Sequence, residues 1–371
     1  YVINDIGENN FYYNSGNGHF VEATKQVGLS NHGNGMGVDI CDYNNDGLFD
    51  IYVTNIHEYV PNPFFVNQGN GAFKDLSEQL GIEDTGWGWG ARFFDADHDL
   101  DEDLYVVNGF DSPIATGDPN KFFENGNGRF TEVSSDNDLN SQARGMGLEV
   151  FDFDMDGDQD MVVANREAQL DLYRNNIVET NEGSNWIQIK LEGIISNKNG
   201  FGARVKITCD DVDYFRYHSG VNIFSQSIKP IHYGLSHHQQ VDQIQVDWPN
   251  GRSEIFGPDS VNQIITLVEG TGEELARDIV LSTTSEAGAE WKIYPNPYKD
   301  QIWLQVGTNS TGSIQFSLWD IMGKTILNKE FGHPRNGVVA LLSGAEQIPP
   351  GLYFYSVKGT GLTGSGKLVK R

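Results

Sequence analysis

The chain has 371 residues, room for two or three domains, and sets 25 Lys and Arg against 52 Asp and Glu for a formal charge of −27. That balance excludes nucleic acid as a partner, because phosphate backbones call for clustered basic side chains, and it repels anionic membranes unless a divalent cation bridges the two. A hydrophobic content of 38% is too high for a disordered chain, and no stretch approaches the roughly 18 apolar residues of a membrane-spanning helix. Gly makes up about 12% of the chain against roughly 7% in average proteins, and with 12% aromatics this points to an all-β fold rich in tight turns. Cys41 and Cys209 fall in different predicted domains, so both are expected to be buried small hydrophobes rather than a disulfide framework.

A repeat organises the first half. The first residue is Tyr1, no signal peptide follows it, and the opening YVIND matches the YVTNI and YVVNG found later, so the chain reads as starting in the middle of a repeat. The block DYNNDGLFDIYVTN begins at Asp42 and recurs as DADHDLDEDLYVVN at Asp95 and DFDMDGDQDMVVAN at Asp152, at steps of 53 and 57 residues. Seven residues before each block stands a Gly-x-Gly, beginning at Gly35, Gly88 and Gly145, and a GNG hairpin turn closes at Phe20, Phe73 and Phe130 in the same phase. Each period predicts four short antiparallel strands, in the first full unit Met36 to Cys41, Asp50 to Asn55, Pro63 to Asn67 and Phe73 to Ser77. Four such strands form the blade of a β-propeller, and about three blades are expected. A solenoid is the alternative, but the GNG turns force adjacent antiparallel strands.

The acidic blocks place oxygens at alternate positions, with Gly at the sixth, as a loop wrapping Ca2+ requires. Block one offers Asp42, Asn44, Asp46, the carbonyl of Leu48, and Asp50. Block two offers Asp95, Asp97, Asp99, the carbonyl of Asp101, and Asp103, and block three offers Asp152, Asp154, Asp156, the carbonyl of Asp158, and Asp160. Solvated Asp-rich turns explain one such block, whereas three in phase favour calcium, and magnesium resists so complete a protein cage. Leu100 takes the Gly position in block two, which is therefore expected to bind worst. The blocks resemble FG-GAP or VCBS repeats of integrin α-subunit propellers and their bacterial relatives over roughly Tyr1 to Asn176; the resemblance implies a calcium loop between two blade strands on one rim.

After the blades, NWIQIKLEG, NIFSQS and VDQIQVDWPNGRSEIF are β-rich runs separated by Gly, Asn and Pro turns, a small β-domain over 181–270. NGFGARV from Asn199, HSGVNIFSQS, HYGLS and VDWPNGR resemble the ASPIC/UnbV domain, which joins calcium-loop repeats in the cartilage acidic protein group; the resemblance implies an extracellular module without an assigned reaction. His218, His232, His237 and His238 lack metal-motif spacing and read as structural or solvated, and Arg204 is expected to pair with an acidic neighbour across a strand. A small, polar linker over 271–290 precedes about seven short strands over 291–371, a C-terminal Ig-like β-sandwich. YPNP, DIMGK, GLYFYSVKG and KLVKR resemble the type A C-terminal sorting domain of the type IX secretion system. The resemblance implies that machinery as a partner and delivery to the outer cell surface, or secretion, in a Gram-negative bacterium of the Bacteroidota.

No nucleophile elbow, P-loop or dinucleotide fingerprint is present, so no catalytic residue is named and the chain is not read as an enzyme. The expected function is a calcium-binding surface or secreted binding module for glycan or protein, using loops such as His57 to Asn62 and Asp111 to Asn120, with Trp87 and Trp89 packed near the propeller axis. The alternative is an exported polysaccharide-degrading lyase or glycosidase with its residues scattered over several blades.

Overall fold

The computed structural model describes residues 1–370 apart from 17, 57–59, 110–116, 182, 276–290, 295–297, 299–300, 307–310, 321–324, 333–337, 344–347, 350 and 361. It divides into two units, Tyr1–Leu275 and Ala276–Arg371.

The repeat folds into successive antiparallel sheets. A hairpin of β1 (Tyr12–Gly16) and β2 (His19–Glu22) precedes two four-stranded sheets, β3 (Gly35–Cys41), β4 (Asp50–Asn55), β5 (Phe64–Asn67), β6 (Phe73–Asp75), then β7 (Gly88–Phe94), β8 (Asp103–Asn108), β9 (Lys121–Asn125), β10 (Phe130–Glu132). The third block gives only three strands, β11 (Gly145–Phe151), β12 (Asp160–Asn165) and β13 (Asp171–Tyr173). The last strand of the first full unit ends at Asp75, short of the Ser77 expected from the sequence. There the Asp75 carboxylate accepts from the Ser77 N–H at 3.0 Å and the Ser77 hydroxyl at 2.7 Å, and the chain turns into a short helix at Ser77–Leu80.

These sheets stack as blades. Strand β8 is buried at every residue, and its alternation divides it between two cores. Leu104 and Val106 join Tyr43, Tyr52, Phe64 and Phe93 on one side; Tyr105 and Val107 join Phe94, Phe122, Leu148 and Val163 on the other. The Gly-x-Gly strands β3, β7 and β11 pack side by side, and a Cβ on Gly37 would lie 2.3 Å from the Trp89 carbonyl oxygen. Only glycine permits that approach. Among the described residues the sheets do not close into a ring.

The second module belongs to the same unit. Asn185–Glu192 pairs antiparallel with Ile231–Ser236 and parallel with Gln263–Val268, beside a five-stranded sheet centred on Arg204–Cys209 and Gln243–Asp247. Ile187, Ile189, Val205, Ile207, Val246 and Trp248 fill its core, together with Cys209. Cys41 and Cys209 are both free and buried.

The second unit is a sandwich in its own right. A three-stranded sheet (Trp291–Tyr294, Gln301–Val306, Val338–Ser343) and a four-stranded sheet (Thr325–Phe331, Thr311–Asp320, Gly351–Thr360, Leu362–Lys370) share one core of Ile302, Leu304, Phe316, Leu318, Tyr355 and Val357.

Candidate metal centre

Each acidic block forms the connection between the first two strands of a blade, and each is wired alike. The first carboxylate accepts backbone N–H groups from the turn ahead of it: Asp42 from Asp46 (3.0 Å) and Gly47 (2.8 Å), Asp95 from Asp99 (3.1 Å) and Leu100 (3.1 Å), Asp152 from Gly157 (3.1 Å). The last carboxylate ties the loop to the third strand or the residues just after it: Asp50 accepts from the N–H of Asn67 (2.7 Å), Asp103 from Asn125 (2.8 Å), Asp160 from Asn175 (2.9 Å). The turn is thereby curled with its acid groups inward.

Oxygens of Asp95, Asp97 and Asp99 lie within 4.8 Å of one another, as do those of Asp152, Asp154 and Asp156. In loop one the third position is Asn44, whose amide donates to Asp46 at 3.1 Å. Asp50 Oδ2, Asp152 Oδ1 and Asp158 Oδ1 are buried without a hydrogen-bond partner, the condition of oxygens that fit a hard cation. Burial, reinforced by neighbouring carboxylates, raises Asp42 to about 6, Asp50 to about 7 and Asp160 to about 6, and lifts Asp97 and Asp99 as well. In loop three Arg174 supplies the counter-charge, reaching Asp154 at 2.6 Å, Asp156 at 3.1 Å and Glu179 at 2.6 Å. The Asp101 carboxylate faces out of loop two, accepting from Asn45 at 2.7 Å and the Asn127 N–H at 2.6 Å.

Block two keeps the backbone of the other two loops although Leu100 stands in the Gly position. Leu100 adopts φ 80°, beside 81° at Gly47 and 104° at Gly157, and its three carboxylates converge as those of block three do. The Leu100 side chain, 3% exposed, belongs to the core of the second module.

What the sequence did not show is that all three loops rest on that module. Arg204 donates to the Gly47 carbonyl at 2.7 Å and lies 4.3 Å from the Phe215 ring centroid, in place of the cross-strand acidic partner expected of it. Arg216 donates to the Leu100 carbonyl at 3.0 Å and pairs with Glu102 at 3.3 Å, while the Gly234 N–H donates to Asp95 at 3.0 Å. At loop three the Gln188 amide donates to Asp152 at 2.7 Å, and His232 Nε2 donates to the Gly157 carbonyl at 2.9 Å. His218 Nε2 donates to the Asn199 carbonyl at 3.0 Å, and His238 meets Asp210 at 2.9 Å.

The inner strands carry a second polar contact. Asp39, Arg92 and Glu149 hold equivalent positions on β3, β7 and β11; Arg92 lies 3.4 Å from Asp39 and 2.8 Å from Glu149, and Lys229 of the second module lies 3.6 Å from Glu149. Trp89 packs on Phe224 of that module at 5.7 Å between ring centroids. A Cβ on Gly147 would meet the Phe224 carbonyl oxygen at 3.0 Å, as one on Gly37 would meet that of Trp89. The hairpin around Phe224 thus stands beside β11 as the next blade stands beside β3. Residues 57–59 and 111–116 of the proposed ligand loops lie outside the described residues. Asn62 and Asn120, which end those loops, are buried and accept the N–H groups of Asn55 and Asn108.

Comparison with known families matches residues 1–53 to the FG-GAP-like repeat, 193–274 to ASPIC and UnbV, and 292–371 to the secretion system C-terminal sorting domain. Three segments of the chain are thus similar to an FG-GAP-like repeat, an ASPIC/UnbV domain and a secretion sorting domain. It is similar to cartilage acidic protein 1 of Mus musculus, 26% identical over 292 residues covering 73% of this chain and 43% of the relative. The Homo sapiens protein is 26% identical over 297 residues, covering 74% and 42%. The chain therefore spans less than half the length of these curated relatives. Among solved structures, PorZ, a surface component of the type-IX secretion system of Porphyromonas gingivalis, aligns at TM-score 0.24 and 12% identity, covering 98% of this chain and 56% of PorZ. The Dos1 propeller aligns at 0.23 and 10%, covering 92% and 80%. The sorting domain matched at residues 292–371 implies export in the Bacteroidota, to the outer surface or the medium, and engagement of the secretion machinery. No helix among the described residues is long and apolar enough to cross a membrane.

Proposed function

We propose that this exported protein is a calcium-dependent binding module for a glycan or protein ligand, in which the blades and the ASPIC/UnbV module act as one body. The observation that carries the reading is the seating of all three acidic loops on that module, with orphaned carboxylate oxygens in the first and third. Asp42, Asn44, Asp46, the Leu48 carbonyl and Asp50 would hold one ion. Asp95, Asp97, Asp99, the Asp101 carbonyl and Asp103 would hold a second, and Asp152, Asp154, Asp156, the Asp158 carbonyl and Asp160 a third. Calcium supplies positive charge to the crowded carboxylates; the chain's part is to curl each loop and to brace it through Arg204, Arg216 and Gln188.

Elemental analysis and a calcium titration followed by melting temperature test the metal assignment. A glycan and protein binding screen, run beside a polysaccharide-degradation assay, tests the function. Saturable binding without product supports the module, and cleavage of polymer would replace it with an enzyme.

A further inference from the structure

The two junctions between blades are built on the same plan but are not equally filled. In the first, Tyr43 at the second position of its acidic loop is 8% exposed, with its ring 5.2 Å from Phe64 and stacked 6.2 Å from Phe130. The same position of the next loop is Ala96. The two are structural equivalents, since Asn125 donates to the Tyr43 carbonyl at 2.9 Å and Asn175 donates to the Ala96 carbonyl at 2.7 Å. Phe130 has no counterpart in the third blade, because β13 is followed by the short helix Ile177–Thr180 rather than a fourth strand. Two aromatic rings are therefore missing from the second junction. In their place lies a cleft of about 500 Å3 walled by Phe94, Phe122, Met161 and Tyr173.

The polar groups of that cleft say what belongs there. Gln159 lines it, is 7% exposed, and brings a primary amide to the cleft. An amide so placed can both donate to and accept from a ligand hydroxyl. With Asp97 and Asp103 turned to calcium and Arg174 already paired with Asp154, Asp156 and Glu179, the exposed Glu124 is the charge left at the cleft border, and it disfavours an acidic ligand. Flat aromatic walls with a few acceptors and a primary amide suit a ring that is apolar on its face and hydroxylated at its edge.

The geometry points to this cleft as the binding site for an uncharged saccharide, whose ring takes the space that Tyr43 fills in the preceding junction. The inference rests on the binding-module reading above and gives that module its ligand class and its site.

The test is calorimetric titration of the full chain, in calcium, with maltose, cellobiose, lactose and N,N′-diacetylchitobiose, using 3′-sialyllactose as the acidic comparator. At least one neutral disaccharide binds with a Kd below about 5 mM, and the acidic sugar binds about tenfold more weakly or not at all. Ala96→Tyr, which restores the filling of the first junction, loses about 20-fold or more in affinity without lowering the melting temperature, and Gln159→Leu loses about fivefold. Should Ala96→Tyr fail to fold, the exposed Glu124→Lys serves as the second variant, weakening neutral-sugar binding by at least about threefold. No heat from any neutral disaccharide at about 20 mM overturns the proposal. So does neutral-sugar binding that Ala96→Tyr and Gln159→Leu leave unchanged, an outcome that keeps the binding module and moves its ligand elsewhere. Saturable binding of a protein in the screen, with no saccharide bound, likewise preserves the module and removes this site.

Discussion

Leu100 and Gly47 occupy the same position in successive acidic loops and share one backbone conformation, with φ of 80° and 81°. A left-handed leucine costs roughly 1–2 kcal/mol, whereas full burial of its side chain contributes about 2–3 kcal/mol, so the packing outweighs the strain. Leu100→Gly is accordingly expected to lower stability by about 1 kcal/mol, and Leu100→Ala, which keeps much of the strain and loses the packing, by about 2–4 kcal/mol. Urea unfolding of the three proteins measures both. A glycine variant more stable than the parent would show that Leu100 does not anchor the second module.

Arg216 is buried beside Glu102 and Asp95, at 3.3 and 3.9 Å. Burial raises both carboxyl groups to about 7 even with the guanidinium opposing it. Arg216→Met should destabilise the first unit by about 3–5 kcal/mol, because it leaves buried acid groups without their counter-charge, and Glu102→Gln in the same chain should recover part of that loss. A double-mutant cycle in urea reads the coupling; zero coupling would mean that the pair does not act as a pair.

Calcium is expected to raise the melting temperature, and each occupied site contributes about 2.7 kcal/mol at 100 times its dissociation constant. Asp97→Ala and Asp156→Ala should each remove a comparable share of the rise, because both residues belong to converging triads of carboxylates. Thermal scans with and without chelator decide the matter. A melting temperature indifferent to both ion and chelator rules the assignment out.

Burial, with a smaller effect of Lys229, holds His218 down to about 4, below its ordinary value of about 6.5. The unfolded chain takes the proton more readily, so the stability gained by keeping this ring neutral is complete above pH 6.5 and drains away as the pH falls towards 4. The loss across that window is on the order of 3 kcal/mol. His218→Gln removes the titration while an amide can still donate to the Asn199 carbonyl, and the difference in melting temperature between pH 7 and pH 5 should shrink relative to the parent. An unchanged difference would assign the acid sensitivity to other groups.

Removal of Ala276–Arg371 should leave the first unit folded and soluble, since among the described residues its core clusters are built from Tyr1–Leu275. Export should fail. Cell fractionation with surface proteolysis checks delivery, and surface display of the truncated chain would end the sorting role.

The blades and their loops were legible because the repeat keeps a strict phase: each Gly-x-Gly marks an inner strand, each GNG a hairpin, each acidic run a loop curled by its own backbone N–H groups. The seating of those loops was not. The hydrogen bond from Arg216 to Leu100 spans 116 residues, and nothing local to either residue announces it. Leu100 looked like a defect because a propensity argument weighs the backbone alone, while its reason lies in a core formed far down the chain. Ala96 was equally silent, since an alanine draws notice only once Tyr43 is known to fill the matching space.

The triad Asp39, Arg92 and Glu149 has a bearing on how such repeats are ordered. Three residues related by the repeat carry charges of alternating sign, and the module that follows contributes Lys229 to the last of them. Exchanging the first two blades, loops and all, would bring two acids together among the inner strands and move the arginine to their edge. Like charges at that depth cost several kcal/mol. The arginine thus fixes the second blade between the other two, and a chain of near-identical units sets its cation where it neutralises an acid on either side.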